Sequence, residues 1–450
     1  MPIEIGALLD HGPWPRFAKL VTLLCALAII FDGFDISIVG FAIPSILREW
    51  QLARASFAPL LVIGLVGMTV GSISAGFVGD RIGRRSALSL SVLLFGAAII
   101  ASAFAPNLRI IEVLRFVAAA GIGGALPNAA TMSAEFTPIK MRTIAVMITI
   151  VCVPLGAALA GSVAKAVLPV GGWRALFFIG GAAPVLLSVL MFIMIPESPR
   201  FLARHAERAP ELARLLNRLQ HAVPADSTFV EVTAGKPDQR AIRADFFGGG
   251  QTRSTLSLWL TFFSSGASVY MCLSWLPSLL SSRGLDLAAG SQGLAVYNYG
   301  GVAGVLCFVL LVNRFGSRIL TLIASLLAAL TALLLMRVEI QPNGDALPLL
   351  AALAAHGFCV NAVQTSLFAL GVHLYPTRVR ASGVAVAAAI GRAGGIVSAL
   401  SGPALIQLGR SEFFEFLMVA MLVAFIGLSF LRNHVPRMQR LRAEPLVAGR

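Results

Sequence analysis

The chain has 450 residues, 57% of them hydrophobic and only 12% charged, with a formal net charge of +14. A soluble domain carries about 25% charged residues, so a water-soluble globule is excluded and the apolar excess must face lipid. Nucleic-acid binding is not expected from the basic balance, because the positive charges follow a membrane topology.

A bilayer core of about 30 Å needs about 20 apolar residues per helical crossing. Twelve such windows follow one another: 18–44, 57–78, 86–105, 107–129, 144–168, 173–195, 255–281, 290–312, 319–337, 347–371, 381–407 and 412–431. Helix is the expected form, because it satisfies every backbone group within its own segment. The first window is too long for a signal-peptide core and is expected to stay in the mature protein. The predicted fold is all-α and integral to the membrane, with twelve transmembrane helices in two halves, 1–198 and 254–433. Between them lies a polar loop, 199–253, and a basic tail follows, 434–450. In that loop "PELARLLNRLQHA" puts Leu212, Leu215, Leu216 and Leu219 on one helical face, which predicts an amphipathic surface helix.

With alternate loops assigned to opposite sides, 25 of the 35 Lys and Arg residues fall on the side of the termini and 7 on the other. That asymmetry marks the terminal side as cytoplasmic. The five cysteines all lie in predicted spans without a CxxC pair, so they read as packing residues. No cofactor or metal is expected. No HExxH or GxSxG motif is present, and an enzyme is not expected.

The two halves echo each other. "GDRIGRR" (Gly79–Arg85) follows the second span and "VNRFGSR" (Val312–Arg318) the eighth; "TPIKMR" (Thr137–Arg142) follows the fourth and "YPTRVR" (Tyr375–Arg380) the tenth. Such parallel repeats are a transporter arrangement, with the substrate near the midplane between them.

"GFVGDRIGRR" (Gly76–Arg85), "RFVAAAGIGG" (Arg115–Gly124) and "PESPRFL" (Pro196–Leu202) resemble signatures of the major facilitator superfamily. "DGFD" (Asp32–Asp35), with "LPNAATMSAEFTP" (Leu126–Pro138) and "AIGRAGG" (Ala389–Gly395), resembles its aromatic acid:proton symporters. The resemblance implies a bacterial inner-membrane importer of benzoate-like acids, with alternating access and a central cavity lined by the first and fourth helices. The fifth-helix GP pattern of antiporters is absent. Symport of another organic acid, drug efflux, or membrane sensing of aromatic acids are the alternatives. A monomer is expected, with its substrate, protons and the lipid bilayer as partners.

The charged residues inside the spans carry the chemistry. Asp32 and Asp35 stand at i and i+3 on one helical face. A lone carboxylate at mid-membrane costs about 2.5–3.5 kcal/mol on insertion scales, so the pair is expected to exchange protons near neutral pH. Asp32 lies about 21 Å in from one side and Arg115 about 12 Å in from the other, at 1.5 Å per residue. The two depths nearly coincide in a ~30 Å core, and Arg115 is expected to pair with one of the acids. A static ion pair is the bland alternative. Arg392 has no acid nearby in its own helix, and a substrate carboxylate could accept its fork of donors; a cap on backbone carbonyls is the alternative.

Glu135 ends the fourth span, either as a proton relay or as a latch to Lys140 or Arg142. Asp80, Arg81, Gly83, Arg84, Arg85, Arg142 and Arg380 are expected to gate the cytoplasmic side. Asn128, Tyr297, Asn298, Asn361 and Gln364 could bond a ring hydroxyl or tie helices together. His356 reads as a core histidine, Lys165 as a snorkelling lysine, and Trp173 and Trp275 as members of an interfacial belt.

Overall fold

The computed structural model describes residues 3–221, 223–224, 229–230, 251–338, 346–375, 380–432 and 434. Its helices are α1 (Ile5–His11), α2 (Arg16–Trp50), α3 (Ala58–Ile82), α4 (Arg84–Ala103), α5 (Leu108–Glu135), α6 (Ile139–Met194), α7 (Pro199–Ala203) and α8 (Ala209–Arg218). After the central segment come α9 (Gln251–Ser282), α10 (Leu287–Phe315), α11 (Ser317–Arg337), α12 (Leu347–Leu374), α13 (Arg380–Leu408) and α14 (Arg410–Phe430). One short parallel pairing, β1 (Ile3–Glu4) with β2 (Phe229–Val230), is the only strand contact among the described residues.

Eleven helical stretches among the described residues are long and apolar enough to cross a bilayer. One of them, Val151–Met194, has 44 residues, which is length for two crossings. It breaks at Gly172, whose φ of 64° and ψ of −170° lie outside helical space. Glycine alone takes that conformation without a steric penalty, so α6 is two membrane helices joined at one residue. The fold is the expected twelve-helix one.

The repeat in the sequence is a repeat in the packing. In the first half α2 packs on the first arm of α6, and α3 on α5; in the second, α9 packs on α13 and α10 on α12. Glycines let these backbones touch. A Cβ on Gly33 would stand 2.0 Å from the Val153 carbonyl oxygen, and one on Gly156 1.8 Å from that of Ile30. Gly71 meets Ala120, Gly266 meets Gly391 and Gly300 meets Ala354 in the same way. Close approach at small residues replaces the hydrophobic drive that lipid cannot supply. The two echoing loops also turn alike, on Gly83 (φ 96°) and Gly316 (φ 76°).

The amphipathic helix forms as α8, with Leu212, Leu215, Leu216 and Leu219 buried. Trp173 and Trp275 correct the interfacial expectation, since both are buried. Trp173 packs edge-on between Trp50 and Phe177 and donates to Glu49 at 2.7 Å. Trp275 lies over Gly402, where a Cβ would come within 2.3 Å of its ring. Both fill gaps between helices, so packing outweighs any interfacial preference.

The halves meet through α2 with α9, α3 with α13, and α6 with α10. Among the described residues three polar contacts join them at the ends remote from the basic loop 79–85. Arg48 donates to Ser281 at 3.1 Å, Lys165 to Gln292 at 2.9 Å, and the Ser162 and Tyr299 hydroxyls lie 2.8 Å apart. Lys165 thus spans the two halves. Backbones also touch there: a Cβ on Gly40 would stand 2.1 Å from the Leu273 oxygen. The remote face is sealed.

Candidate functional site

Helix α2 passes through the middle of the molecule. Its apolar window is 72% buried inside the protein, against 33% for that of α11. Both acids of "DGFD" are therefore shielded from lipid and solvent, with Asp32 3% and Asp35 1% exposed. Gly33 between them removes the side chain that would hold α6 away, and α2 runs on without a break.

Arg115 reaches from α5 to Asp35, with Nη1 2.5 Å from Oδ2. Its stem lies along α3, where Gly64 leaves room: a Cβ there would stand 3.1 Å from Nε. Depth alone leaves Asp32 and Asp35 open as partners of Arg115, and the structure pairs it with Asp35. The second oxygen of each acid, Oδ1, is buried without a hydrogen-bond partner. Asp32 makes no hydrogen bond or ion pair among the described residues, yet it lies within the electrostatic reach of Asp35, Arg392 and Arg115.

Arg392 approaches from α13, in the other half. Its Nη2 donates to Ser72 Oγ of α3 at 3.0 Å, across the boundary between the halves. Tyr270 of α9 stands beside it, close enough for its hydroxyl to bond the guanidinium and to feel Asp32 and Arg115. Gly395, one turn from Arg392, makes this possible, since a Cβ there would meet the Tyr270 ring at 2.6 Å. On the sealed side a cavity of about 30 Å³ touches Arg115, Tyr270 and Ser274. That is room for water, and too small for an aromatic ring. On the basic face a wider opening of about 340 Å³ is lined by Ala130, Thr131, Ala134, Glu135 and Arg200.

Sequence reasoning passed over Tyr270 and Ser72. Tyr270 could have been noticed as a tyrosine near the middle of a span; Ser72 carries no signal that distinguishes it from other span serines.

The other candidates divide into groups. Asn128 is buried, donates to Gly124 at 2.9 Å and accepts from Arg84 at 3.4 Å. It belongs with the basic-face loop and ties α5 to α4. Tyr297 is buried on α10, its ring facing His356 and its hydroxyl near Cys272 and Asn361. Asn361 donates to Gly357 and Asn298 to Leu294, both at 3.0 Å within their own helices. Gln364 accepts from Ser265 at 2.7 Å, linking α12 to α9. His356 turns Nδ1 towards Thr331 and the Ala328 carbonyl, between α11 and α12. This is the packing of a core histidine.

In the loop Asp80 pairs with Arg84 at 2.7 Å, and Arg81 lies over the Phe77 ring. The Arg85 amide donates to Glu197 at 3.0 Å and its guanidinium to the Phe192 carbonyl. Gly83 is pressed against Glu197, where a Cβ would clash at 2.2 Å. Glu135 accepts from the Ser198 hydroxyl. Among the described residues every partner of this loop lies in the first half. The side chains of Lys140, Arg142 and Arg380 fall outside the described residues. Glu197, which anchors the loop, and Ser198, which holds Glu135, both lie in the PESPRFL motif, whose pattern alone assigns them no role.

A family model of the Major Facilitator Superfamily matches residues 25–399 and 258–448. The chain is 32% identical over 449 residues to a gallate transporter of Pseudomonas putida, covering 100% of this chain and 98% of that one. It is 32% identical to the 4-hydroxybenzoate transporter PcaK of the same species over 426 residues, covering 94% and 93%. Among solved structures it superposes on the inward open conformation of the xylose transporter XylE from E. coli, with a TM-score of 0.73 at 18% identity, covering 92% and 97%. These relatives are transporters and not enzymes. The chain belongs to the major facilitator superfamily, in the family that contains these aromatic acid transporters.

Proposed function

We propose that the protein imports a small aromatic carboxylate together with protons, by alternating access across a bacterial inner membrane. The observation that carries this reading is the buried pair of Arg115 and Asp35, with Asp32 unpartnered beside it and Arg392 entering from the other half. Burying an unpaired carboxylate and an unpaired guanidinium is costly. Such groups persist where a ligand or a proton completes them.

In this reading Arg392 donates to the substrate carboxylate, releasing Ser72, and the Asp32/Asp35 pair takes the proton. Tyr297, Asn361 and Gln364 supply the polar wall of the second half that meets ring substituents. The names of the relatives support the aromatic class: gallate, 4-hydroxybenzoate and, at 27% identity, a benzoate transport protein of Acinetobacter baylyi. The charge asymmetry supports cytoplasmic termini, which makes the sealed face periplasmic and the open one cytoplasmic. Asp80 with Arg81, Arg84 and Arg85 holds the two halves together through salt bridges and helix-end dipoles when that open side closes.

The test is uptake of labelled benzoate, 4-hydroxybenzoate and gallate by cells producing the protein, with and without a protonophore. Concentrative uptake of at least one, abolished by the protonophore and by Arg392→Ala, is expected. Uptake insensitive to both would overturn the reading.

A further inference from the structure

Four ionisable groups meet at the centre: Asp32 and Asp35 of α2, Arg115 of α5 and Arg392 of α13. Among the described residues Tyr270 of α9 is a further titratable side chain there, and the atoms nearest a Cβ on Gly33 belong to the Val153 backbone of α6. With both acids ionised the empty site is neutral, two negative against two positive. The two acids are not equivalent. Asp35 is held by Arg115 at 2.5 Å. No described group donates to Asp32.

We infer that Asp32 alone carries the proton, that Asp35 stays locked to Arg115, and that each substrate monoanion crosses with one proton and no net charge. The inference rests on the proposed function and adds its stoichiometry. An anion bound at Arg392 makes the site −1 overall. One proton on an Asp32 oxygen restores zero, and it comes from water on the side to which the site is open. A proton without an anion leaves the site at +1. Only the empty and the fully loaded sites are neutral when both gates close. The half-loaded ones would bury an uncompensated charge in a region of low dielectric, which is strongly disfavoured. Coupling then follows from charge balance and needs no separate relay. Both the proton and the anion leave when the site opens to the other side, and Asp32 returns ionised.

The test uses the full chain purified into proteoliposomes, with labelled 4-hydroxybenzoate as probe and protein-free vesicles as background. A pH gradient, alkaline inside, with the potential clamped at zero is expected to drive accumulation. A negative-inside potential without a pH gradient is expected to drive none. Accumulation on the potential alone would mean more than one proton per anion and would overturn the inference; accumulation on a positive-inside potential would mean none, with the same consequence. Asp32→Asn is expected to keep counterflow exchange of the label while losing accumulation on the pH gradient. Asp32→Glu is expected to retain both, with a shifted pH profile. If Asp35→Asn instead gave uncoupled exchange with Asp32→Asn still accumulating, the assignment would be overturned. Absence of counterflow of benzoate, 4-hydroxybenzoate and gallate by the unaltered protein would overturn the substrate reading and this inference together. Counterflow with potential-driven accumulation would overturn the inference alone.

Discussion

Arg115 is the residue on which the central charges balance. It holds Asp35 across two helices, and both partners are nearly inaccessible. Removing one member of such a buried pair leaves the other charge uncompensated, at a cost of about 3–5 kcal/mol. Arg115→Ala is therefore expected to lower the thermal midpoint of the purified protein, with much of the loss recovered in the double variant Arg115→Ala with Asp35→Ala. A double variant no more stable than Arg115→Ala alone would show that the pair is not the source. Arg392 behaves differently, because its described bond is to a neutral serine at 3.0 Å. Arg392→Lys keeps the charge but loses the planar fork. Weakening of 4-hydroxybenzoate binding by about ten- to a hundredfold is expected, the worth of about 1.5–3 kcal/mol for a charge-assisted hydrogen bond. Calorimetry on the purified variant checks it.

At this scale the sequence was informative where a residue was out of place and silent where it was not. A charge in an oily span is conspicuous, so Asp32, Asp35, Arg115 and Arg392 could be named, and helix rise alone matched the depth of Arg115 to the acids. Ser72 and Tyr270 are ordinary span residues whose importance comes from what faces them across the half boundary. Asn128 was conspicuous too, yet its partner is Arg84 in the loop. Polarity marks that a residue has a partner without saying which one.

Elements were readable from hydropathy, with instructive limits at their ends. Helix α2 runs six residues past its apolar window, because Glu49 accepts from Arg174 and Trp173 at the remote face and makes that polar turn worth keeping. The break at Gly172 falls among small residues in an almost continuous apolar run, so its position could be bracketed but not its single-residue sharpness. The glycines that bring α2 against α6 are expected to tolerate nothing larger. Gly156→Val would force a branched side chain into the Ile30 carbonyl, which a lone Cβ already meets at 1.8 Å. Loss of folded protein in fluorescence-detected size-exclusion chromatography is expected; Gly172→Ala meets no atom within 4 Å and is instead destabilised by its backbone, whose φ of 64° strains any L side chain.

A different element, the N-terminal segment, went unassigned in the sequence. Here β1 pairs with β2, Ile5 and Leu9 are buried, and Gly12 lies against the His221 ring. Burial lowers the His221 pKa below its ordinary 6.5. The folded contact thus binds fewer protons than the released one, and its stability is present above pH 6.5 and lost as pH falls through the lowered value. Protection of the amides of residues 3–12, relative to their intrinsic exchange rates, is expected to fall as pH drops through that window. His221→Gln should flatten the dependence, and an unchanged dependence in that variant would place the titration elsewhere.

Across the whole molecule the two halves are built alike and meet unequally. Their internal packing repeats helix for helix, as the echoing loops announced. Among the described residues the polar contacts between them lie at the remote face, through Arg48 with Ser281, Lys165 with Gln292, and Ser162 with Tyr299, and at the centre, through Arg392 with Ser72. No single-chain pattern encodes such a preference, because it belongs to one of two alternating arrangements of the same helices. Lys165→Cys with Gln292→Cys is expected to be bridged by a cleavable bifunctional thiol reagent in this arrangement, since the two side chains meet at their tips, and to stop transport until the bridge is cleaved. Addition of 4-hydroxybenzoate at acid pH should slow the cross-linking by drawing the protein towards the opposite opening.

The central claim is that a carboxylate anion and a proton are taken into one buried, charge-balanced site. Calorimetric titration of the purified protein with 4-hydroxybenzoate, repeated at one pH in buffers of different ionisation enthalpy, counts the protons bound with the ligand. At a pH where the free site is deprotonated, the expected result is one proton taken up per anion, falling to none in Asp32→Asn. Binding with no proton uptake at any pH in the unaltered protein would contradict it.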